Sequence, residues 1–201
     1  MTNQASEILD AERSVLVVVD LQGKLMEMVA RPKMVVTNTI RLLKLAELFR
    51  VPVVLTEQYP KGIGPTHADV KAAFDAFTGT KRYVSKTSFG CCGDEGFRNA
   101  LDEVCSGVPP NRRQVVVCGI EAHVCVMQTV LELRRTEHGV HVSWDAVSGR
   151  GEEYRRHALE RMAAAGAVVT NHESVGFEWA RDKKHESFSA MSALFKEGQV
   201  C

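Results

Sequence analysis

Six short apolar runs alternate with segments of helical periodicity along this 201-residue chain, and this alternation restricts its fold. The runs are predicted strands at 14–20, 51–56, 82–86, 115–117, 141–146 and 167–170. The fourth contains three consecutive valines and is expected to end at Gly119. Uninterrupted β-branched runs are typical of strands covered on both faces of a parallel sheet. The pattern predicts an α/β fold of three αβα layers with right-handed crossovers.

Helical spacing of apolar residues fills the segments between the runs. Helices are predicted at 35–49, 68–77, 94–105, 152–165 and 186–196. One more follows the fourth strand, where Val126, Val130 and Leu133 recur at intervals of four and three. The last helix is apolar enough either to dock on its own domain or to form a subunit interface, and the sequence leaves both open.

Composition sets limits on function. A hydrophobic content of 45% and a formal net charge of zero predict one globular domain over residues 1–201, with no electrostatic attraction for nucleic acid. The apolar runs are far too short for a membrane span. The N-terminal segment has no basic region followed by an apolar core, so a cytoplasmic location is expected.

Six cysteines lack the spacing of a disulfide framework or a zinc knuckle, since no C-x-x-C occurs. They stand at positions 91, 92, 105, 118, 125 and 201. No G-x-G-x-x-G follows the first strand, so a dinucleotide is not predicted, and no cofactor is expected.

An acid, a base and a thiol follow the predicted strands where ligands bind in such sheets. Asp20 ends the first strand, Lys86 ends the third and Cys125 follows the fourth. The set fits nucleophilic hydrolysis: Asp20 as general base, Lys86 to favour the ionised groups, and Cys125 as nucleophile. Cys125 is expected in the first turn of a helix, where the helix dipole lowers a thiol pKa.

Each of these residues alone has an ordinary structural interpretation. Asp20 could cap a loop, Lys86 could be a solvated surface lysine, and Cys125 could be a small buried residue. Their joint arrival at one edge of the sheet favours the catalytic interpretation.

Five segments resemble the isochorismatase-like cysteine hydrolase superfamily over nearly the whole chain. They are VVVDLQ, VVLTEQYPKGIGPT, KTSFGC, VVVCGIEAHVCV and DAVSGRGEEYRRHALERMAAAGAVVTNHESVGFE. The loop TEQYPKGIGPT is most similar to isochorismatase-domain-containing proteins. The resemblance implies a six-stranded parallel sheet of order 3-2-1-4-5-6, a small-molecule substrate and a homo-oligomer.

The same resemblance implies roles for individual residues. Asp20, Lys86 and Cys125 occupy the positions of the catalytic triad. A cis peptide is expected between Ile120 and Glu121. It would aim the N–H of Glu121 toward the same point as the N–H of Cys125, so that the two form an oxyanion hole.

Differences from particular family members narrow the chemistry. Nicotinamidases carry an Asp-x-His metal site after the second strand, where this chain has the residues EQYP, with only His67 further on. No metal site is therefore expected, and His67 is interpreted as a loop residue. Isochorismatases proper lack the nucleophilic cysteine, so Cys125 favours hydrolysis of an amide, ureido or carbamoyl-like substrate.

Some neighbouring residues carry weaker signals. Gln58, Tyr59, Phe89 and Trp144 are candidates to line a substrate pocket, because such pockets are mostly apolar with a few polar groups. A separate expectation is that Asp145 and Arg150 pair to fix the loop after the fifth strand. His123, two residues before the thiol, is expected to point away from it.

Three functions are compatible with these features. The first is a metal-independent cysteine hydrolase. The second is a non-catalytic interaction or scaffold protein that retains the fold. The third is a redox-sensing thiol protein, which would require a resolving cysteine within reach of Cys125.

Overall fold

The structure, a computed structural model, describes residues 7–197. The first six residues of the N-terminal segment, and Cys201, lie outside this range.

A six-stranded, fully parallel sheet forms the centre of the molecule. Its strands are β1 (Ser14–Val19), β2 (Val53–Gln58), β3 (Lys81–Lys86), β4 (Gln114–Ile120), β5 (Gly139–Ser148) and β6 (Val168–Thr170). The order is β3-β2-β1-β4-β5-β6, which confirms the predicted topology. Strand order reverses between β1 and β4, so a crevice is expected beyond their carboxyl ends.

Gly119 does not end β4, contrary to the prediction, because the strand continues to Ile120. Gly119 has φ +124°, and a Cβ there would collide with the backbone carbonyl oxygen of Val19 on β1. The register between β4 and β5 shifts between Val117 and Gly119. The glycine therefore allows close contact between two strands at the edge that carries the candidate site, instead of terminating one of them.

Nine helices connect the strands within residues 7–197, besides shorter turns. They are α1 (Gly23–Met26), α2 (Pro32–Leu48), α3 (Pro60–Ile63), α4 (Ala68–Ala76), α5 (Glu95–Val104), α6 (Met127–Arg135), α7 (Glu152–Ala164), α8 (His172–Ala180) and α9 (Phe188–Lys196). The sequence patterns missed α1, α3 and α8. In the described part of the chain, none has the combination of length and apolar character that a bilayer crossing requires.

Two apolar layers cover the faces of the sheet. Side chains of α2, α4, α8 and α9 pack on one face, and those of α5, α6 and α7 on the other. Alternate residues of β1 point into opposite layers, with Leu16 and Val18 on one side and Val15 and Val17 on the other. Met191 of α9 is fully buried, so the last helix docks on its own chain.

Candidate active site

Asp20 and Lys86 form a buried ion pair at the carboxyl edge of the sheet. Asp20 directly follows β1, and its φ of +49° lies in the left-handed region, which turns the chain out of the strand. Lys86 is the last residue of β3. Its Nζ lies 2.7 Å from Oδ2 of Asp20, and both side chains are 0% exposed. The alternative prediction, that Lys86 is a solvated surface lysine, is wrong.

Lys86 donates to three further oxygen atoms besides Asp20. Its Nζ lies 2.9 Å from Oε1 of Gln58 and 3.1 Å from the carbonyl oxygens of Ser88 and Phe89. Burial is the largest single influence on the pKa of Lys86 and lowers it. The charge of Asp20, the hydrogen bond to Asp20 and the neighbouring Cys91 and Cys125 together outweigh burial, so the pKa is raised. The ammonium is therefore charged and held in one position.

Cys125 lies in a π-helical turn, Ala122–Val126, between β4 and α6, and not in the first turn of an α-helix. The amide of Val126 donates to the carbonyl oxygen of Glu121, five residues back. Thr129 donates its hydroxyl to the carbonyl oxygen of Cys125 at 2.7 Å and fixes the turn onto α6. Such π-turns occur frequently at functional sites.

The pKa of the Cys125 thiol is raised, contrary to the expected lowering, so the thiol is neutral at pH 7. Burial is the largest cause that raises the pKa, and the negative charge of Asp20 raises it further. The Lys86 ammonium opposes both but does not overcome them. The electrostatic effect of Asp20 and Lys86 on Cys125 shows that the three predicted residues come together.

Two residues near Asp20 were missed in the sequence. Thr56 of β2 donates its hydroxyl to Oδ1 of Asp20 at 2.7 Å. The same hydroxyl lies 3.9 Å from Sγ of Cys91. Burial raises the pKa of Cys91 to about 12, so this second thiol is also neutral. Two neutral thiols do not favour the redox interpretation, because the thiolate is the reactive form.

The turn after β4 contains a cis peptide bond between Ile120 and Glu121. The Glu121 carboxylate is buried and accepts from Nε of Arg150 at 2.8 Å. The expected pair between Asp145 and Arg150 is therefore wrong. Asp145 instead contacts His172, with Oδ2 and Nδ1 2.5 Å apart.

The predicted pocket residues divide into two groups. Gln58 is buried and holds Lys86, with its Nε2 donating to the Thr87 carbonyl oxygen at 2.7 Å. Tyr59 and Phe89 are more than half exposed. Both connect to Lys86 through backbone atoms, because the Tyr59 amide donates to its carbonyl and the Phe89 carbonyl accepts from its Nζ. The two aromatic rings are therefore exposed on segments whose backbones contact Lys86.

Trp144 does not belong to this group. Its ring packs against the guanidinium of Arg155 on α7, with 5.3 Å between the guanidinium carbon and the ring centroid. The His123 ring similarly stacks on Tyr154 of α7, with centroids 4.7 Å apart.

Buried polar residues hold the segment that follows β2. Glu57 accepts from the amide and hydroxyl of Thr66 at 2.7 Å and from the hydroxyl of Tyr83 at 2.7 Å. Gln22 donates to the carbonyl oxygens of Gln58 at 3.0 Å and Gly64 at 2.6 Å. The loop between β2 and α4 is therefore fixed at both ends.

A cavity of about 700 Å³ lies beside this loop and not at the triad. Its lining includes Gly23, Met26, Pro32 and His67. His67 also caps α4 by accepting from the amide of Asp69 at 3.3 Å. Within residues 7–197, no three His, Cys, Asp or Glu side chains group closely enough to hold a metal ion.

Comparisons with known proteins agree with the fold. The family model for the isochorismatase domain matches residues 14–174. Isochorismatase domain-containing protein 2 from Homo sapiens is 36% identical over 186 residues, which cover 92% of this chain and 83% of that protein.

Two solved structures are similar throughout. The MAR1 ribonuclease from Caenorhabditis elegans has a TM-score of 0.83 and 31% identity, covering 94% of this chain and 92% of that one. The YcaC gene product from Escherichia coli, an octameric hydrolase of unknown specificity, has a TM-score of 0.83 and 27% identity, covering 93% and 88%.

Proposed function

Because this chain belongs to the isochorismatase family of hydrolases, we propose that it is a cysteine hydrolase of a small amide, ureido or carbamoyl-like substrate. One observation carries the proposal: the buried Asp20–Lys86 pair, 2.7 Å apart, acts electrostatically on the Cys125 thiol. A buried ion pair is costly to desolvate and is weak evidence for a stabilising role. A nucleophile beside it gives the pair a chemical use.

The first step transfers a proton and forms a bond. Asp20 takes the proton of the Cys125 thiol while Sγ attacks the substrate carbonyl carbon. Because the thiol is neutral at rest, the proton leaves as the C–S bond forms. Before this transfer the Asp20 carboxylate is negatively charged, and the Lys86 ammonium offsets that charge.

The tetrahedral intermediate carries its charge on the former carbonyl oxygen. We assign its stabilisation to the amides of Glu121 and Cys125, in the turn that Thr129 and Arg150 hold. Hydrogen-bond donors that are already in position before the reaction stabilise the transition state strongly, since removing one typically lowers the rate by about 10²–10³-fold.

Three further proton transfers complete the reaction. Asp20 returns its proton to the nitrogen as the C–N bond breaks, and ammonia or an amine leaves. Water then gives a proton to Asp20 and attacks the thioester, and the C–S bond breaks as the thiol recovers its proton. The products are a carboxylic or carbamic acid and the free enzyme.

The substrate class follows from the nucleophile and the space beside it. A thiol paired with a single carboxylate suits a carbonyl with a nitrogen leaving group, which must be protonated to depart. Tyr59 and Phe89, exposed next to Lys86, offer aromatic surface for a small apolar substituent. RNA is not proposed, because a formal net charge of zero supplies no overall attraction for a polyanion.

The oligomer is proposed from the relatives. The YcaC product is octameric, and this chain resembles it over most of both lengths. We therefore propose a homo-oligomer, which light scattering of the purified protein measures directly. A monomer at micromolar concentration would contradict this.

The test is a screen of small amides, ureas and carbamates for ammonia release, with intact mass to detect an acyl-enzyme. Wild type should turn over at least one compound, and Cys125→Ser should not. Cys92→Ala is the matched control, because Cys92 is a half-buried thiol outside the triad. Absence of both turnover and acyl adducts, with an unreactive Cys125, would favour the scaffold alternative. RNA cleavage retained in Cys125→Ser would contradict the proposed chemistry.

A further inference from the structure

Thr56 contacts Asp20 twice, through its backbone and through its side chain. The amide of Asp20 donates to the carbonyl oxygen of Thr56 at 3.2 Å, and the Thr56 hydroxyl donates to Oδ1 at 2.7 Å. Thr56 lies opposite Val19, the residue before Asp20, in the register of β1 and β2. Both side chains are buried, with Asp20 0% and Thr56 1% exposed.

The two oxygens of the Asp20 carboxylate therefore have separate donors on separate strands. Thr56 of β2 donates to Oδ1, and Lys86 of β3 donates to Oδ2. The torsion that rotates a carboxylate about its Cβ–Cγ bond is broad when nothing restrains it. Two donors, one on each oxygen, restrict this rotation and fix the plane of the group.

A salt bridge alone would leave that rotation freer. An ammonium is a compact charge that can follow either oxygen. The Thr56 hydroxyl cannot follow, because it is short and its strand position is set by pairing with β1 and β3.

We propose that Thr56 is a positioning residue, which holds the plane of the Asp20 carboxylate so that it can take the proton of Cys125. This inference rests on the proposed cysteine chemistry and adds a residue to it. Thr56 does not touch the nucleophile in the present geometry. Its only sulfur neighbour among the described contacts is Cys91, 3.9 Å away.

Three variants test the inference. Thr56→Val removes the hydroxyl and keeps the shape, Thr56→Ser keeps the hydroxyl, and Thr170→Val removes a hydroxyl from another buried strand residue. The first measurement is the rate of iodoacetamide alkylation at Cys125, followed by peptide mapping. We expect Thr56→Val to react about 10- to 100-fold more slowly, the range given by one hydrogen bond to a charged group. Thr56→Ser and Thr170→Val should remain within about threefold of wild type, well below a tenfold effect.

The second measurement is the infrared carboxylate stretch of Asp20. It is isolated by subtracting the spectrum of the same variant carrying Asp20→Asn. The band should move in Thr56→Val, because one donor is lost, and should return in Thr56→Ser. If Thr56 had only a structural role, the infrared band and the alkylation rate would not change together across the variants.

The outcomes separate this inference from the function on which it rests. A wild-type protein in which Cys125 is not alkylated even above pH 9 would overturn the proposed function and, with it, the role of Thr56. A reactive wild type with an unchanged rate in Thr56→Val would overturn the role of Thr56 alone. An unchanged infrared band in that variant would do the same.

Discussion

Two buried acids at the carboxyl edge of the sheet have opposite surroundings. Asp20 shares its oxygens between Thr56 and Lys86 and lies beside a thiol. Asp145 accepts from the hydroxyl of Ser143 at 2.7 Å and from the backbone amide of His172 at 3.2 Å, and contacts the His172 ring at 2.5 Å.

The comparison distinguishes a chemical pair, Asp20 and Lys86, from a structural pair, Asp145 and His172. The Asp145–His172 contact ties β5 to the start of α8, and Phe195 of α9 packs edge-on against the histidine with ring centroids 5.7 Å apart. Burial and then the charge of Asp145 raise the pKa of the Cys118 thiol, but that thiol is fully buried, with its Sγ 3.8 Å from the carbonyl oxygen of Val17. Buried carboxylates occur in both roles, so the Lys86 ammonium together with the Cys125 thiol is the feature that identifies the site.

The largest expected effect is at the nucleophile. Cys125→Ser should lower turnover of a substrate found in the amide screen by about 10⁴-fold or more, as loss of a covalent nucleophile does in other hydrolases. The free energy of unfolding should change little, because the two side chains differ by one atom. Turnover and urea unfolding, each compared with Cys92→Ala, check the two statements. Substantial residual turnover would remove Cys125 from the mechanism.

The next effect is on stability at the chemical pair. Lys86→Met leaves the Asp20 carboxylate buried without its counter-charge, which should lower the free energy of unfolding by about 3–5 kcal/mol. Lys71→Met, which removes an exposed pair with Asp75, is the control and should have an effect below about 1 kcal/mol. Urea unfolding of both variants measures the difference. An equal loss of unfolding free energy in the two variants would show that the Asp20–Lys86 pair is not shielded from water as described.

A smaller loss is expected at the structural pair. Asp145→Asn should lower the free energy of unfolding by about 1.5–3 kcal/mol, since it removes hydrogen bonds to a charged group. Turnover per folded molecule should stay within about twofold of wild type, because the site is separate. A large loss of turnover in the folded variant would break the distinction between the two pairs.

The difference in stability between wild type and Asp145→Asn should depend on pH in a defined direction. Burial opposes ionisation of Asp145, but hydrogen bonds from His172 and Ser143 outweigh it and lower its pKa. The stabilisation is therefore present above the unfolded value, about 3.9, and is lost as pH falls through the lowered folded pKa. The stability difference between wild type and Asp145→Asn should shrink below about pH 4 in urea titrations. A difference that grows on acidification would contradict the sign.

The smallest expected effect is on thiol reactivity without substrate. Burial and Asp20 raise the pKa of Cys125, so its alkylation at pH 7 should be slower than that of a free cysteine peptide. The rate should continue to rise above pH 9, where the peptide rate levels off. Mass spectrometry of iodoacetamide-treated protein across pH measures this. A plateau below pH 8 would indicate a resting thiolate.

Most element types could be predicted because apolar runs of β-branched residues are local signals, whereas the sheet order was implied by the resemblance to the family. Helix α8 could not, since Gly176 lowers helix propensity within it. That glycine is required by packing: a Cβ there would come within 2.8 Å of Phe195 and 3.1 Å of Leu45. Such a contact depends on residues distant in sequence.

The site was predictable in its residue types and not in its contacts. Asp20 and Cys125 follow strands and Lys86 ends one, so sequence position alone brings them to one edge. The partner of Arg150 proved to be Glu121, 29 residues earlier, and local spacing had suggested Asp145. The direction of the Cys125 pKa shift also depends on burial, which the helical position does not reveal.

The close approach at Gly119 also determines which parts of this protein can diversify. Since the backbones of β1 and β4 touch there, the main chain itself limits the separation of Asp20, which follows β1, and Cys125, which follows β4. The loop of Tyr59 and the segment of Phe89 can then change in sequence while the reactive geometry stays constant. A protein engineer could randomise both segments to alter substrate preference, and would leave residue 119 as glycine.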